Sequence, residues 1–318
     1  MDSTLIARQA VRPWIESTSG SILLGVSGGA DSLALAIATL LEAKDREVIP
    51  VVIDHGLQEL SADVAAQTVL KLKELGFNQI EIRKIVVELN DGIEASARRA
   101  RYAAFDDIAA RYKSSVFFLG HTESDLAETV LLGLARGSGT RSLSGMPEVN
   151  GIYIRPFLHI TRATTESVCN ENNVTPWRDP HNDNREFSRV RVRHDILPIM
   201  ERDLGPGISS ALARSSRILR EDADALDLIA ATFMEESDAL AIDQLAVLPR
   251  AIRSRVLRAL IYEAGAPSGS LTYDHITPVE ALITAWHGQG ATSLPGGVKV
   301  ERISGRLSLL QQGSSANE

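Results

Sequence analysis

The chain has 318 residues, 44% hydrophobic and 23% charged, a composition that suits a globular protein large enough for two cores and excludes a disordered or fibrous one. No window holds the roughly 18 apolar residues of a membrane-spanning helix, and Asp2, Arg8, Arg12 and Glu16 sit where a signal peptide would be apolar, so a cytoplasmic protein with no membrane partner is expected. A net charge of -8 excludes a general cationic surface for nucleic acid, and a single cysteine, Cys169, excludes disulfides, a four-cysteine metal site and chemistry that needs two thiols.

Strand-like and helix-like stretches alternate along the first half. Strands are predicted at 21–26, 48–53, 80–87 and 116–119. Helical stretches follow them at 33–44, at 61–75 with a stop at Gly76, at 94–112 and at 123–134. The order predicts an α/β fold, a parallel sheet with helices on both faces. Arg136-Gly137-Ser138-Gly139-Thr140-Arg141 reads as a loop over a site, and a strand near 152–154 with a helix near 162–171 completes this part. Pro176 to Asn184 collects Pro, Asp and Asn as an extended linker. From Ser188 the pattern is helical, with long helices at 209–236 and 248–264, and short strands at 298–303 and 307–310 close a smaller, mainly helical C-terminal domain.

Ser27-Gly28-Gly29-Ala30-Asp31-Ser32 falls between the first strand and the first helix, so its backbone N–H groups face whatever anion lies over the helix N-terminus. Adjacent glycines let the backbone approach a phosphate closely, and two serines add hydroxyl donors. Asp31 suits an anion site only if a divalent cation accompanies the phosphates, which points to a magnesium nucleotide with Asp31 as metal ligand. A simple turn capped by an aspartate would use the same residue types. The strand before, the helix after and the order of all six favour the phosphate loop. Neither the Gly-x-x-x-x-Gly-Lys-Ser/Thr pattern nor Gly-x-Gly-x-x-Gly is present there.

This hexapeptide resembles the signature of the N-type ATP pyrophosphatases, the PP-loop superfamily, which split ATP into AMP and pyrophosphate. Further segments resemble one of its families, the tRNA(Ile)-lysidine synthetases, in the short form. They are Ile53-Asp54-His55-Gly56-Leu57, Ala97-Arg98-Arg99-Ala100-Arg101-Tyr102, Gly120-His121-Thr122-Glu123-Ser124-Asp125-Leu126-Ala127-Glu128-Thr129, Arg155-Pro156-Phe157-Leu158, Trp177-Arg178-Asp179-Pro180 and Arg189-Val190-Arg191-Val192-Arg193-His194. The match is strong over 20–205 and weaker beyond, through Leu248-Pro249 and Leu294-Pro295-Gly296-Gly297. Gln58 stands where the family usually has Arg, and His181 replaces a small residue.

The resemblance implies a PP-loop ATP-binding catalytic domain over 1–185, a junction over 186–205 and a tRNA-binding domain over 206–318. It implies a ligase that converts the wobble cytidine, position 34, of the CAU anticodon of an isoleucine tRNA to lysidine. ATP, Mg²⁺ and free L-lysine would be consumed or bound, with AMP and pyrophosphate released. The oligomeric state is left open, a homodimer included. The alternatives are another PP-loop enzyme such as a tRNA thiolase, which needs cysteines this chain lacks, or a nonenzymatic adenine-nucleotide sensor.

Each half of such a reaction makes a demand on side chains. Neutralising the triphosphate falls to the loop Ser27 to Ser32, with Arg98 and Arg101, three apart on one helix face, as added charge. Lysine must lose a proton. With an amine pKa near 10.4, about one molecule in a few thousand is neutral at pH 7, a handicap of roughly 4–5 kcal/mol. His121, Asp125 and Glu128, at positions 0, +4 and +7, are placed on one side of a helix to bind the ammonium and take its proton. The competing role for Asp125 is to cap the helix with Thr122, leaving Glu128 exposed. Replacing Asp31 or Glu128 by Ala is expected to abolish modification with the fold intact. The RNA grip falls to Arg178, Arg185, Arg189, Arg191 and Arg193, with Trp177 either stacking on a base or packing between domains. His55 is expected near the nucleotide, and Cys169 as a small buried hydrophobe.

Overall fold

The computed structural model describes residues 2–56, 61–87, 93–137, 139–179 and 183–311, so Gln58, His181 and Ser138 lie outside the described residues. In chain order the first elements are α1 (Ser3–Ser17), β1 (Ile22–Gly25), α2 (Ala30–Glu42), β2 (Val48–Asp54), α3 (Ser61–Glu74), β3 (Glu81–Lys84), α4 (Ile93–Tyr112), β4 (Phe117–Leu119), α5 (Glu123–Ala135), α6 (Thr140–Leu143), β5 (Val149–Asn150), β6 (Tyr153–Ile154) and α7 (Arg162–Glu171). After them come α8 (Ser188–Arg191), a π-helical turn Val192–Ile196, α9 (Leu197–Asp203), α10 (Ile208–Glu236), α11 (Ile242–Ala246), α12 (Arg250–Glu263), α13 (Tyr273–Thr284) and the strands β7 (Thr292–Ser293), β8 (Val298–Ile303) and β9 (Arg306–Gln311).

Alternation along β1 sets the layers. Ile22 and Leu24 join the core on one face and Leu23 joins the core on the other, all three fully buried, so helices must cover both sides. Residues of α1, α2, α3 and α7 fill the first core, and Phe105, Ile108 and Ala109 of α4 fill the second against Phe117 and Tyr153. The strand order is β3-β2-β1-β4-β6-β5. All neighbours are parallel except β5, which pairs antiparallel with β6 at one edge and so modifies the wholly parallel sheet expected. The chain leaves β1 toward one edge and returns to β4 on the other side. The carboxyl ends of β1 and β4 therefore flank the switch point where open α/β sheets bind ligands.

Helix α1 has no counterpart among the elements predicted from the sequence. Its residues Ala7, Val11 and Ile15, four apart, are buried, and Arg8 and Arg12 pair at 2.9 and 2.7 Å with Glu42 of α2. The chain divides into two compact units, 1–137 with 142–217 and 138–141 with 218–318, so the residues expected as a junction, 186–205, fall in the first. In the second, Leu245, Val256, Ile261, Val279, Leu282, Val298 and Val300 form a separate core around α11, α12, α13 and the antiparallel sheet β7-β8-β9.

Candidate active site

The turn after β1 is shaped by contacts only glycine permits. Gly28 has φ +86°, and a Cβ there would collide with the Thr68 hydroxyl. A Cβ on Gly120, just past β4, would lie 2.9 Å from the Asp31 carbonyl oxygen, so the end of β4 passes directly against the turn. Inside it, Ser32 Oγ accepts from the Ser27 N–H at 3.2 Å and donates to the Gly29 carbonyl at 3.0 Å. The Trp177 N–H donates to the Gly28 carbonyl at 2.9 Å. Gly29 offers no side-chain cap to α2, and the N–H groups of residues 29–32 find no acceptor among the described residues. An uncapped helix start with free N–H groups is an anion site.

Beside the turn lies a cavity of about 400 Å³. Ser27 and Ser32 line it together with Val51, Val52, Ile53 and Phe105. Arg98, Arg101, His55, Gly120, His121, Trp177 and Asp179 complete much of its wall. Residues named from separate stretches of sequence thus meet in one place. Its size and mixed lining suit a nucleoside. The Arg98 guanidinium lies 5.0 Å from the centre of the Tyr102 ring.

His121 does not stand on the helix with Asp125 and Glu128. Helix α5 begins at Glu123 after the cap residue Thr122, so His121 belongs to the turn between β4 and α5. Its Nδ1 is buried with no hydrogen-bond partner, and burial pushes its pKa down to about 4, against a smaller opposing pull from Asp125. The imidazole is therefore neutral at pH 7. Asp125 closes the helix: one carboxylate oxygen accepts from the Thr122 N–H at 2.9 Å and from its hydroxyl at 3.0 Å. Burial opposes the charge on Asp125. Arg189 and the Thr122 N–H outweigh that opposition and hold its pKa below the usual range.

Glu128 is fully buried rather than exposed, and it is already paired. Arg189 Nε donates to it at 2.8 Å and Arg193 Nε at 2.6 Å, while Arg193 also lies 3.3 Å from Asp125. Two of the five arginines expected on RNA are thus turned inward onto α5, with side chains 28% and 19% exposed. Arg178 is exposed. Arg191 is exposed too and donates to the carbonyls of Arg185 and Glu186.

Asp31 meets two residues that the sequence did not single out. The Thr165 hydroxyl donates to its carboxylate, and Arg162, the first residue of α7, lies 3.4 Å from it and 4.0 Å from Asp125. Burial raises the Asp31 pKa, with Arg162 and the Thr165 hydroxyl pulling the other way. Their sequence signal, a cation and a hydroxyl at the start of a predicted helix, carries no hint of which loop they reach. Among the described residues no group of three His, Cys, Asp or Glu side chains can hold a metal alone. A single desolvated carboxylate beside a phosphate site fits Mg²⁺, which keeps waters and shares phosphate oxygens. Cys169 is buried beneath the turn, its thiol donating to the Ala30 carbonyl and pushed up to about 12 by burial, which leaves it inert.

With this geometry in place, comparison with known proteins gives consistent matches. A PP-loop domain model matches residues 3–200, and a TilS substrate binding domain model matches residues 240–308. A tRNA(Ile)-lysidine synthase of Streptomyces coelicolor is 47% identical over 303 residues, which cover 92% of this chain and 86% of that one. One of Thermobifida fusca is 44% identical over 310 residues, covering 95% and 96%. Among solved structures, a U34-tRNA thiolase from Methanococcus maripaludis with its 4Fe-4S cluster superposes with a TM-score of 0.55 at 19% identity, over 69% of this chain and 80% of that one. That likeness is one of fold.

Proposed function

The chain belongs to the tRNA(Ile)-lysidine synthase family, and from that premise we propose that it is an ATP-dependent, AMP-forming carbon–nitrogen ligase that makes lysidine from cytidine 34 in the CAU anticodon of an isoleucine tRNA. The observation that carries the proposal is the uncapped start of α2, whose N–H groups open beside a nucleoside-sized cavity at the sheet's switch point. The adenosine of ATP occupies that cavity, with Arg98 and Arg101 near its phosphates and the turn 27–32 holding the triphosphate. Asp31 is the residue to hold Mg²⁺, which supplies charge neutralisation when bound. The described chain has no helix long and apolar enough to cross a membrane, and we place the reaction in the cytoplasm.

Oxygen 2 of the cytosine forms a bond to the α-phosphorus as the bond to the bridging oxygen breaks, and pyrophosphate leaves with the electron pair. The lysine ε-amine then adds to the activated base carbon and AMP departs. Glu128 and Asp125 are committed to arginines, so His121 is the group available to the amine. It is neutral, lines the cavity and has a buried ring nitrogen without a partner. Asp125 supplies the negative charge that favours a proton on His121. Arg178 and Arg191, with Arg185, which is exposed and paired with Asp195, are the exposed arginines of that group offered to the tRNA backbone, and Trp177 lines the cavity.

Incubation with the isoleucine tRNA transcript, ATP and labelled lysine tests the proposal. One label should enter the RNA for each pyrophosphate released. Pyrophosphate release without label transfer would assign the chain to other chemistry on the same loop.

A further inference from the structure

Arg162 is a cation whose guanidinium makes no hydrogen bond among the described residues. It lies 3.4 Å from Asp31 and 4.0 Å from Asp125, within ion-pair range of both, but its Nε is buried without a partner. The two arginines that reach α5 differ: Arg189 and Arg193 each donate to Glu128. A buried donor left open costs about 1–3 kcal/mol, so such a group is retained where a ligand completes it. The ligand that suits a planar fork of N–H donors is a phosphate or carboxylate.

Position indicates which anion. Ser27 and Ser32 line the nucleoside cavity, whereas Asp31, the neighbour of Ser32, and Arg162 do not. A triphosphate that starts at the cavity and follows the turn over the start of α2 reaches Asp31 and Arg162 with its outer phosphates. α7 brings Arg162 there because it packs on α2 through the buried Val168 and Cys169, and the Thr165 hydroxyl fixes the Asp31 carboxylate from the same helix. Resting on the adenylation proposed above, we infer that Arg162 is a further catalytic residue of this site, which donates to the pyrophosphate half of ATP and takes up the charge that develops on it as the bond to the α-phosphorus breaks.

The test separates the two halves of the nucleotide by calorimetric titration with AMP and with magnesium pyrophosphate, on the full chain and on Arg162→Ala and Arg162→Lys. Pyrophosphate affinity should fall 10- to 100-fold in R162A and less in R162K, with AMP affinity changed less than twofold in both. The rate of tRNA-dependent pyrophosphate release should fall at least 100-fold in R162A. Addition of millimolar guanidinium should restore part of that rate to R162A and none to the parent. Undiminished pyrophosphate binding by R162A overturns the assignment alone, and equal loss of AMP and pyrophosphate overturns it in favour of a structural role. Failure of the parent chain to bind either ligand overturns the adenylation proposal together with this one.

Discussion

Helices α2 and α5 start side by side at the carboxyl ends of β1 and β4, each with an aspartate in its first turn, and the two starts are built to opposite ends. At α5 the aspartate turns back on its own helix: Asp125 takes the Thr122 N–H and hydroxyl, so no anion is needed there. At α2 the aspartate turns away. Asp31 goes to Thr165 and Arg162 of another helix, Gly29 supplies no cap, and the N–H groups remain open. One start is closed for stability and the other left open for a ligand. The same residue type serves both because the N-cap residue, Thr122 or Gly29, decides where the carboxylate is wanted.

Four substitutions test that contrast. Asp31→Ala should have the largest effect, a loss of at least 10³-fold in tRNA-dependent pyrophosphate release, with a melting temperature no lower than the parent's because a desolvated carboxylate is removed. Single-turnover assays and calorimetry read both, and substantial retained activity would show that the open start does not need its carboxylate.

Glu128→Ala strands Arg189 and Arg193 beside a buried hole. Breaking a buried pair from one side costs about 3–5 kcal/mol, or roughly 10 °C of melting temperature. The fold is therefore not expected to survive this change intact, in contrast to the sequence-based expectation, and a melting temperature within 2 °C of the parent (roughly 1 kcal/mol) would show that the buried ion pairs do not hold α5 in place.

His121→Gln addresses the pH dependence. The folded protein holds His121 near pKa 4, below the unfolded value of about 6.5, so the unfolded chain takes up the proton first as pH falls. Stability is full above about pH 6.5 and is lost toward pH 4. Between pH 7.5 and 5 the parent should lose roughly 2 kcal/mol that the Gln variant keeps. Chemical denaturation at the two pH values measures it, and parallel losses would mean that the imidazole is not desolvated.

Gly29→Ser should have the smallest effect on stability. The site has room, the nearest atom to an added Cβ being Ser27 Oγ at 3.7 Å, and a hydroxyl cap on α2 should gain a few tenths of a kcal/mol. The same hydroxyl occupies N–H groups meant for phosphate, so KM for ATP should rise about tenfold (roughly 1.4 kcal/mol). A stabilised variant with unchanged KM would break the distinction between the two helix starts.

What could be read in the sequence follows how locally it is encoded. The turn 27–32 is six consecutive residues between a strand and a helix, and it was legible, as were the alternating elements and the gathering of Arg98, Arg101, His55 and His121 near the sheet's carboxyl edge. Helix α1 carried a readable four-residue period at Ala7, Val11 and Ile15, but Pro13 and the charges Arg8 and Arg12 masked it. Their partner, Glu42, lies on another helix. Arg162 and Thr165 reach Asp31 only because α7 packs on α2, a long-range contact that no spacing encodes. Arg189 and Arg193 were visible as cations and Glu128 as a carboxylate, but their pairing, across more than 60 residues of sequence, was not.

The bond from the Trp177 N–H to the Gly28 carbonyl bears on affinity. In a trans peptide the carbonyl and the N–H lie in one plane and point in opposite directions, so anchoring the Gly28 oxygen fixes the Gly29 N–H to face away from Trp177. Glycines would otherwise let that plane rotate freely, and an incoming anion would have to freeze it, at a cost of about 1–2 kcal/mol for each residue ordered. Here the freezing is done during folding, and the incoming nucleotide is spared that entropic toll.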